Sequence, residues 1–236
     1  MGDWSNERMR ELGAGSGTMS DRRARELDTQ TDALVRVAAA LAHGTVSDLK
    51  ARFAAARDAR VPDLWVEELL LQSLLVVGYP RALVAFGVWR ASGAGGPARE
   101  EEGGDGAEDL AHEDWQAWAA RGAAACREVY GRAYHKLLVN LRGLHPALED
   151  LVLVDAYGKV IGRPGLDLKR RELCTVAAIA VLDAAEQLHS HLRGALNTGA
   201  SPEEVEAVLV TVDADLDAER RRVAWEQWED VRRRKL

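Results

Sequence analysis

The chain has 236 residues, 47% of them apolar and 29% charged, and a net charge of −7, enough to bury one large core or two small ones. The acid excess speaks against a nucleic acid or an anionic membrane as partner. The two cysteines, Cys126 and Cys174, form no CxxC pair and no metal-ligand spacing, which excludes a disulfide framework or zinc ribbon and fits a reducing, cytoplasmic setting.

Residues 1–24 are polar and charged, lack the apolar stretch of a signal peptide, and read as a disordered lead, with Met19 as an alternative start. From residue 25, Ala, Leu, Arg and Glu dominate and apolar residues recur at three- and four-residue spacing, the pattern of helices. Residues 25–90 form a first unit, in which Gly78-Tyr-Pro-Arg marks a turn and Pro80 opens a helix. The apolar stretches around Leu69–Val77 and Val176–Ala185 fall far short of the roughly 20 residues of a membrane span. Residues 91–111, rich in Gly, Ala and acid, read as a flexible linker.

Residues 112–236 form the second unit. Its only candidate strand is LVLVDAY, Leu151–Tyr157, whose flanks look helical. Trp115 and Trp118 share a helical spacing, as do Trp225 and Trp228, and both pairs suit core or interface packing. Gly199 ends a helix, Ser201 caps the next and Pro202 takes its first position; Asp217 is placed to cap the last. Asp213, Asp215 and Asp217 resemble the start of a calcium loop, but Ala218 and Ala224 stand where that loop needs a glycine and an acid, so calcium is rejected. The basic tail Arg232–Lys235 suits a helix C-terminus.

The two units are related. Shifted by 139 residues, Asp32–Ala56 lies on Arg171–Ala195 without a gap. The same register sets Glu67 on Glu206, Arg81 on Arg220 and Trp89 on Trp228. This indicates tandem duplication of a four-helix unit.

The stretch HSHLRGALNTG, His189–Gly199, carries the candidate chemistry. Leu188, His191, Leu192, Ala195 and Leu196 form one apolar stripe, so His191 points inward. His189 lies about 200° away round the helix, with Arg193 and Asn197. The two histidines diverge and cannot share one metal ion on a regular helix. His191 is either a core histidine satisfied by a neighbour or a general acid/base. Glu172, at the start of the preceding helix, is the partner expected within about 7–8 Å along the axis. The duplication sets Glu172 on Ala33 and His191 on Arg52, so the first unit lacks the pair.

The stretches AYGKVIGRPGLDLKRREL, QLHSHLRGALNTGASPEEVEAVL and, in the first unit, EELLLQSLLVVGYPRALVAF resemble the carboxymuconolactone decarboxylase family, which shares its fold with alkyl hydroperoxidase D-like proteins. The resemblance implies an all-α fold of two tandem units. It also implies a homo-oligomer, here a trimer of two-unit chains mimicking a hexamer. Peroxidase-type members place a CxxC between the glutamate and the histidine; those positions are Ala184 and Gln187 here, which disfavours thiol peroxidase chemistry. The decarboxylase branch implies cofactor-free loss of CO2 from a small carboxylated lactone. In that branch His191 is the proton donor and Glu172 its orienter. Arg193 or Arg163 binds the substrate carboxylate, Tyr157 is placed to donate to an oxyanion, and His189 faces substrate or a neighbouring subunit. The alternative is a non-catalytic oligomeric scaffold of the same fold.

Overall fold

A computed structural model describes residues 27–93, 114–182 and 184–235. The expected lead, 1–24, and residues 94–111 of the expected linker lie outside the described residues. The described residues are helical without strands: α1 Thr29–His43, α2 Val46–Asp58, α3 Asp63–Ala91, α4 Trp115–Tyr130, α5 Tyr134–Leu144, α6 Leu148–Asp150 running into a π-helical stretch Leu151–Ile161, α7 Leu168–Ala180, α8 Ala185–Asn197, α9 Pro202–Val212 and α10 Ala218–Lys235.

The helix starts are written in side chains that accept the free N–H groups of a first turn. Asp28 accepts from Thr31, Asp114 from Ala117 and Asp167 from Arg170. Thr45 with Asp48 and Ser201 with Glu204 make reciprocal capping boxes. The expected caps Ser201 and Asp217 are both in place, Asp217 accepting from the Arg220 N–H at 2.8 Å.

The candidate strand Leu151–Tyr157 is helical instead. A short apolar run does not distinguish a strand from a buried helix by periodicity, and this one finds α4 to pack on rather than a partner strand. The crossing is close because both sides are glycine. A Cβ at Gly158 would come within 2.3 Å of the Trp118 carbonyl, and one at Gly122 within 1.7 Å of the Leu153 carbonyl.

The duplication is visible as internal two-fold pairing. α1 and α7, which are equivalent, pack side by side at the centre, and α3 and α9 each touch both of them. Gln72 Nε2 donates to the Arg171 carbonyl at 2.9 Å, and Thr211, the equivalent of Gln72, donates to Asp32, the equivalent of Arg171, at 3.0 Å. Arg81 donates to the carbonyls of Ala40, Leu41 and Gly44 at the end of α1, as Arg220 does to Val181 at the end of α7. Trp89 and Trp228 are both fully buried. Trp115, by contrast, is exposed.

α3 is long and apolar enough to cross a membrane by length and composition. It is not one straight rod: Gly78 adopts φ +71°, a left-handed conformation that glycine tolerates, and divides it. Leu69, Leu70, Ala82, Ala85 and Trp89, on both sides of the break, are buried in the core.

Candidate active site

Glu172 lies in the first turns of α7 and is 1% exposed. His191 lies in the middle of α8 and its side chain is 18% exposed. The turn between these helices brings them together, and His191 Nδ1 donates to Glu172 Oε2 at 2.8 Å. A carboxylate only accepts, so this contact fixes the ring orientation and leaves Nε2 to exchange a proton.

The pair is packed with little room to spare. A Cβ at Gly194 would lie 2.4 Å from Glu172 Oε2 and 2.9 Å from Val129. Only glycine lets the carboxylate rest against α8 here. The first unit has Ala33, Arg52 and Ala55 at the three positions of Glu172, His191 and Gly194. It lacks all three parts together.

α4 and the π-helical stretch cover Glu172 and supply Cys126, Tyr130 and Tyr157. Burial, with the Glu172 charge added, pushes the Cys126 thiol and the Tyr130 phenol up to about 12 and Tyr157 well above its ordinary range. Burial also raises Cys174 to about 12. Both thiols therefore stay protonated and inert, and both phenols remain hydrogen-bond donors.

The other expected residues fall in three places. Tyr157 is buried behind Tyr130, with ring centroids 6.3 Å apart. Arg193 and His189 lie on the opposite side of α8 from the core and line a small hollow with Tyr130, Val129 and Asn197. His189 also bonds Asp230 of α10 at 3.2 Å.

Arg163 is committed elsewhere. It bonds Glu68 at 3.1 Å, and Glu68 bonds Arg171 at 2.7 Å; Glu68 is 3% and Arg171 0% exposed. Arg171 precedes Glu172 on α7, about 100° round the helix, so this buried cluster faces α3 rather than α8. It ties the two units together. Among the described residues no group of three or more His, Cys, Asp or Glu is placed to hold a metal ion.

Sequence reasoning missed Tyr130, Gly194 and Glu68. Gly194 carried a signal, being the glycine inside an otherwise unbroken helical stripe. Tyr130 and Glu68 carried none, because their partners lie far along the chain.

Comparison with known proteins agrees with the internal repeat. The profile described as "Carboxymuconolactone decarboxylase family" matches residues 12–91 and again 151–230. The two spans are offset by the same 139 residues at both ends. A 4-carboxymuconolactone decarboxylase of Acinetobacter baylyi is 30% identical over 84 residues, 35% of this chain and 63% of the relative. A nitrosuccinic acid decarboxylase of Metarhizium robertsii is 44% identical over 62 residues, 26% of this chain and 43% of the relative. Peroxisomal protein 2 of Schizosaccharomyces pombe is 33% identical over 86 residues, 36% of this chain and 40% of the relative. In each case the chain spans less than two thirds of the relative's length.

Proposed function

The chain belongs to the carboxymuconolactone decarboxylase family, and from that premise we propose that it is a cofactor-free decarboxylase of a small dicarboxylic acid, with His191 as proton donor. The observation that carries this reading is the Glu172–His191 contact at 2.8 Å, kept in one repeat and lost in the other. The names of two relatives support the substrate class. In both 4-carboxymuconolactone and nitrosuccinic acid, one carboxylate sits on a carbon joined to an electron sink, and a second carboxylate stays behind.

In this scheme the remaining carboxylate binds at Arg193, which lines a small hollow with His189. Arginine suits it because its planar fork gives paired hydrogen bonds. The departing carboxylate leaves as CO2. Its carbon–carbon bonding pair enters the sink, making a dienolate from the lactone or a nitronate from the nitro acid. His191 Nε2 then delivers a proton to carbon, and water restores the imidazolium. Glu172 touches no substrate; it orients the ring and balances the charge of the imidazolium. Arg163 is bonded to Glu68 within the buried cluster between the units, whereas Arg193 lines the hollow.

The test is turnover of 4-carboxymuconolactone and of nitrosuccinate by the full chain, with His191→Ala and Glu172→Gln at matched folding and oligomer size. A placed acid contributes about 10²–10⁴-fold, and His191→Ala is expected to lose that much, Glu172→Gln less. A folded native protein that turns over neither acid, together with a His191→Ala variant that unfolds easily, would favour the scaffold reading instead.

A further inference from the structure

The closing helix of each unit turns one face outward, and the two units furnish that face differently. In α3 beyond the Gly78 break, Tyr79, Pro80, Leu83, Val84 and Gly87 are exposed. The repeat register sets them on Ala218, Glu219, Arg222, Val223 and Glu226 of α10, of which Ala218, Glu219, Arg222 and Glu226 are exposed as well. On α10 the face is an ion-pair ladder: Arg222 bonds Glu219 at 2.6 Å and Glu226 at 2.7 Å. On α3 it carries no charge, and Tyr79 is 70%, Leu83 63% and Val84 49% exposed. The inner faces match, with Ala85 and Trp89 buried on one helix and Ala224 and Trp228 on the other. The core therefore does not demand the apolar outer face, and a contiguous patch of this kind marks a contact surface.

The segments of the chain outside the described residues are poorly matched to it. Residues 94–113, which follow α3, hold one large apolar side chain, Leu110, and the acid run Glu100–Glu102; residues 1–26 spread theirs singly among charges. A helix that lies on a membrane rings its apolar face with Lys and Arg. Both arginines of this segment are instead engaged within the chain, Arg81 on the Ala40 carbonyl at 2.9 Å and Arg90 on Glu67 at 3.0 Å.

A second copy of the stripe fits. Tyr79, Leu83 and Gly87 lie four residues apart, a single ridge of the helix about 12 Å long, symmetric about Leu83. Ridges of this spacing interlock where two helices cross. About a two-fold axis at Leu83 the two leucines meet, and each Tyr79 falls opposite the other copy's Gly87. A Cβ built at Gly87 meets nothing within 4 Å, so the surface there is open to a ring.

We propose that this stripe is a self-association surface: two chains pair α3 against α3 about a two-fold axis at Leu83, with Tyr79 of each seated over Gly87 of the other. A two-fold contact is self-complementary and needs one patch per chain. The pairing is independent of the decarboxylase reading, and it leaves other surfaces free to close a ring.

The test is the mass of the full chain in solution by light scattering, native and with Leu83→Arg plus Gly87→Glu. That double variant copies the residues of α10 onto exposed positions of α3, so helicity and thermal unfolding report whether the fold is kept. The native protein is expected to hold an even number of chains, and the folded variant half that mass. A second arm uses Leu83→Cys. The native cysteines are both buried, and a cysteine on the axis should give a covalent dimer under mild oxidation. Leu64→Cys, 40% exposed on the same helix but off the stripe, should stay a single chain.

An odd number of chains in the native protein, a folded double variant of unchanged mass, or a Leu83→Cys that oxidises no faster into dimers than Leu64→Cys overturns the pairing. A single-chain native protein that sediments with anionic lipid vesicles also overturns it and gives the stripe to a membrane surface.

Discussion

The two repeats share a skeleton and differ in one patch. Both bury a tryptophan at the same position, both use an arginine to close the first helix, and both send a polar side chain across to the other's central helix. The second repeat alone has a carboxylate, an imidazole and a gap for them, Glu172, His191 and Gly194, where the first has Ala33, Arg52 and Ala55. Only the second is covered by α4. The difference teaches that the packing of the repeat does not depend on the Glu172–His191 pair, since the first repeat keeps the same packing without it. The scaffold is present in two copies and the Glu172–His191 pair in one.

That comparison can be broken most violently at the seam between the units. Glu68→Ala leaves Arg171, fully buried, and Arg163 without their carboxylate. Breaking a buried pair from one side costs about 3–5 kcal/mol, and urea unfolding should report a loss of that size. The equivalent position in the second repeat is already Ala207, so this seam is one-sided, and an unfolding free energy unchanged in Glu68→Ala would show it to be ornamental.

A reciprocal exchange sharpens the patch itself. Gly194→Ala presses a methyl group onto Glu172 Oε2. It should cost about 1–3 kcal/mol by overpacking, despite the better helix propensity of alanine, and should abolish turnover. Ala55→Gly in the first repeat should cost only the helix propensity, about 1 kcal/mol, with turnover untouched. Equal effects from the two exchanges would mean that the two repeats are packed alike at this point.

A smaller difference separates the two buried tryptophans. Trp228 Nε1 donates to Glu206 at 3.0 Å, whereas Trp89 Nε1 has no partner among the described residues. Trp228→Phe should therefore destabilise more than Trp89→Phe, by about 1 kcal/mol for the lost hydrogen bond. Paired denaturation curves measure it directly.

The mildest prediction concerns base. Cys126, Cys174, Tyr130 and Tyr157 all belong to the second half of the chain or its cover. Cys126 and Cys174 are raised from 9.0, and Tyr130 from 10.0, to about 12. A raised pKa means that the folded state holds its proton more tightly than the unfolded one. Its contribution is complete below the unfolded value and is lost as pH rises through the folded one. Stability should be indifferent to these groups below pH 9 and should fall between 9 and about 12. At pH 8 neither thiol should react with a disulfide reagent until the protein unfolds. Rapid labelling of folded protein would contradict the burial of both.

Much of the molecule was legible without coordinates. Helical spacing, caps such as Ser201 and Asp217, and the turn at Gly78 are local signals, each carried by residues within a few positions of one another. The repeat was legible because its register survives in large and polar residues. The Glu172–His191 contact was also within reach, since a single hairpin turn separates its partners. The LVLVDAY run was ambiguous because a short apolar stretch suits either a strand or a buried helix, and its packing against α4 made it helical.

By itself, then, the amino-acid sequence determined the helices, their ends, the tandem repeat and the residues able to carry acid/base chemistry, because these follow from local periodicity and from self-comparison. Only the tertiary structure decided that α4 lies across α8, that Tyr130 stands in front of Tyr157, and that Arg163 is held by Glu68 rather than left for substrate. Those contacts join residues tens of positions apart, Arg163 and Glu68 being separated by 95. No periodicity encodes such a pairing; it forms only when the apolar faces of the two units have chosen each other.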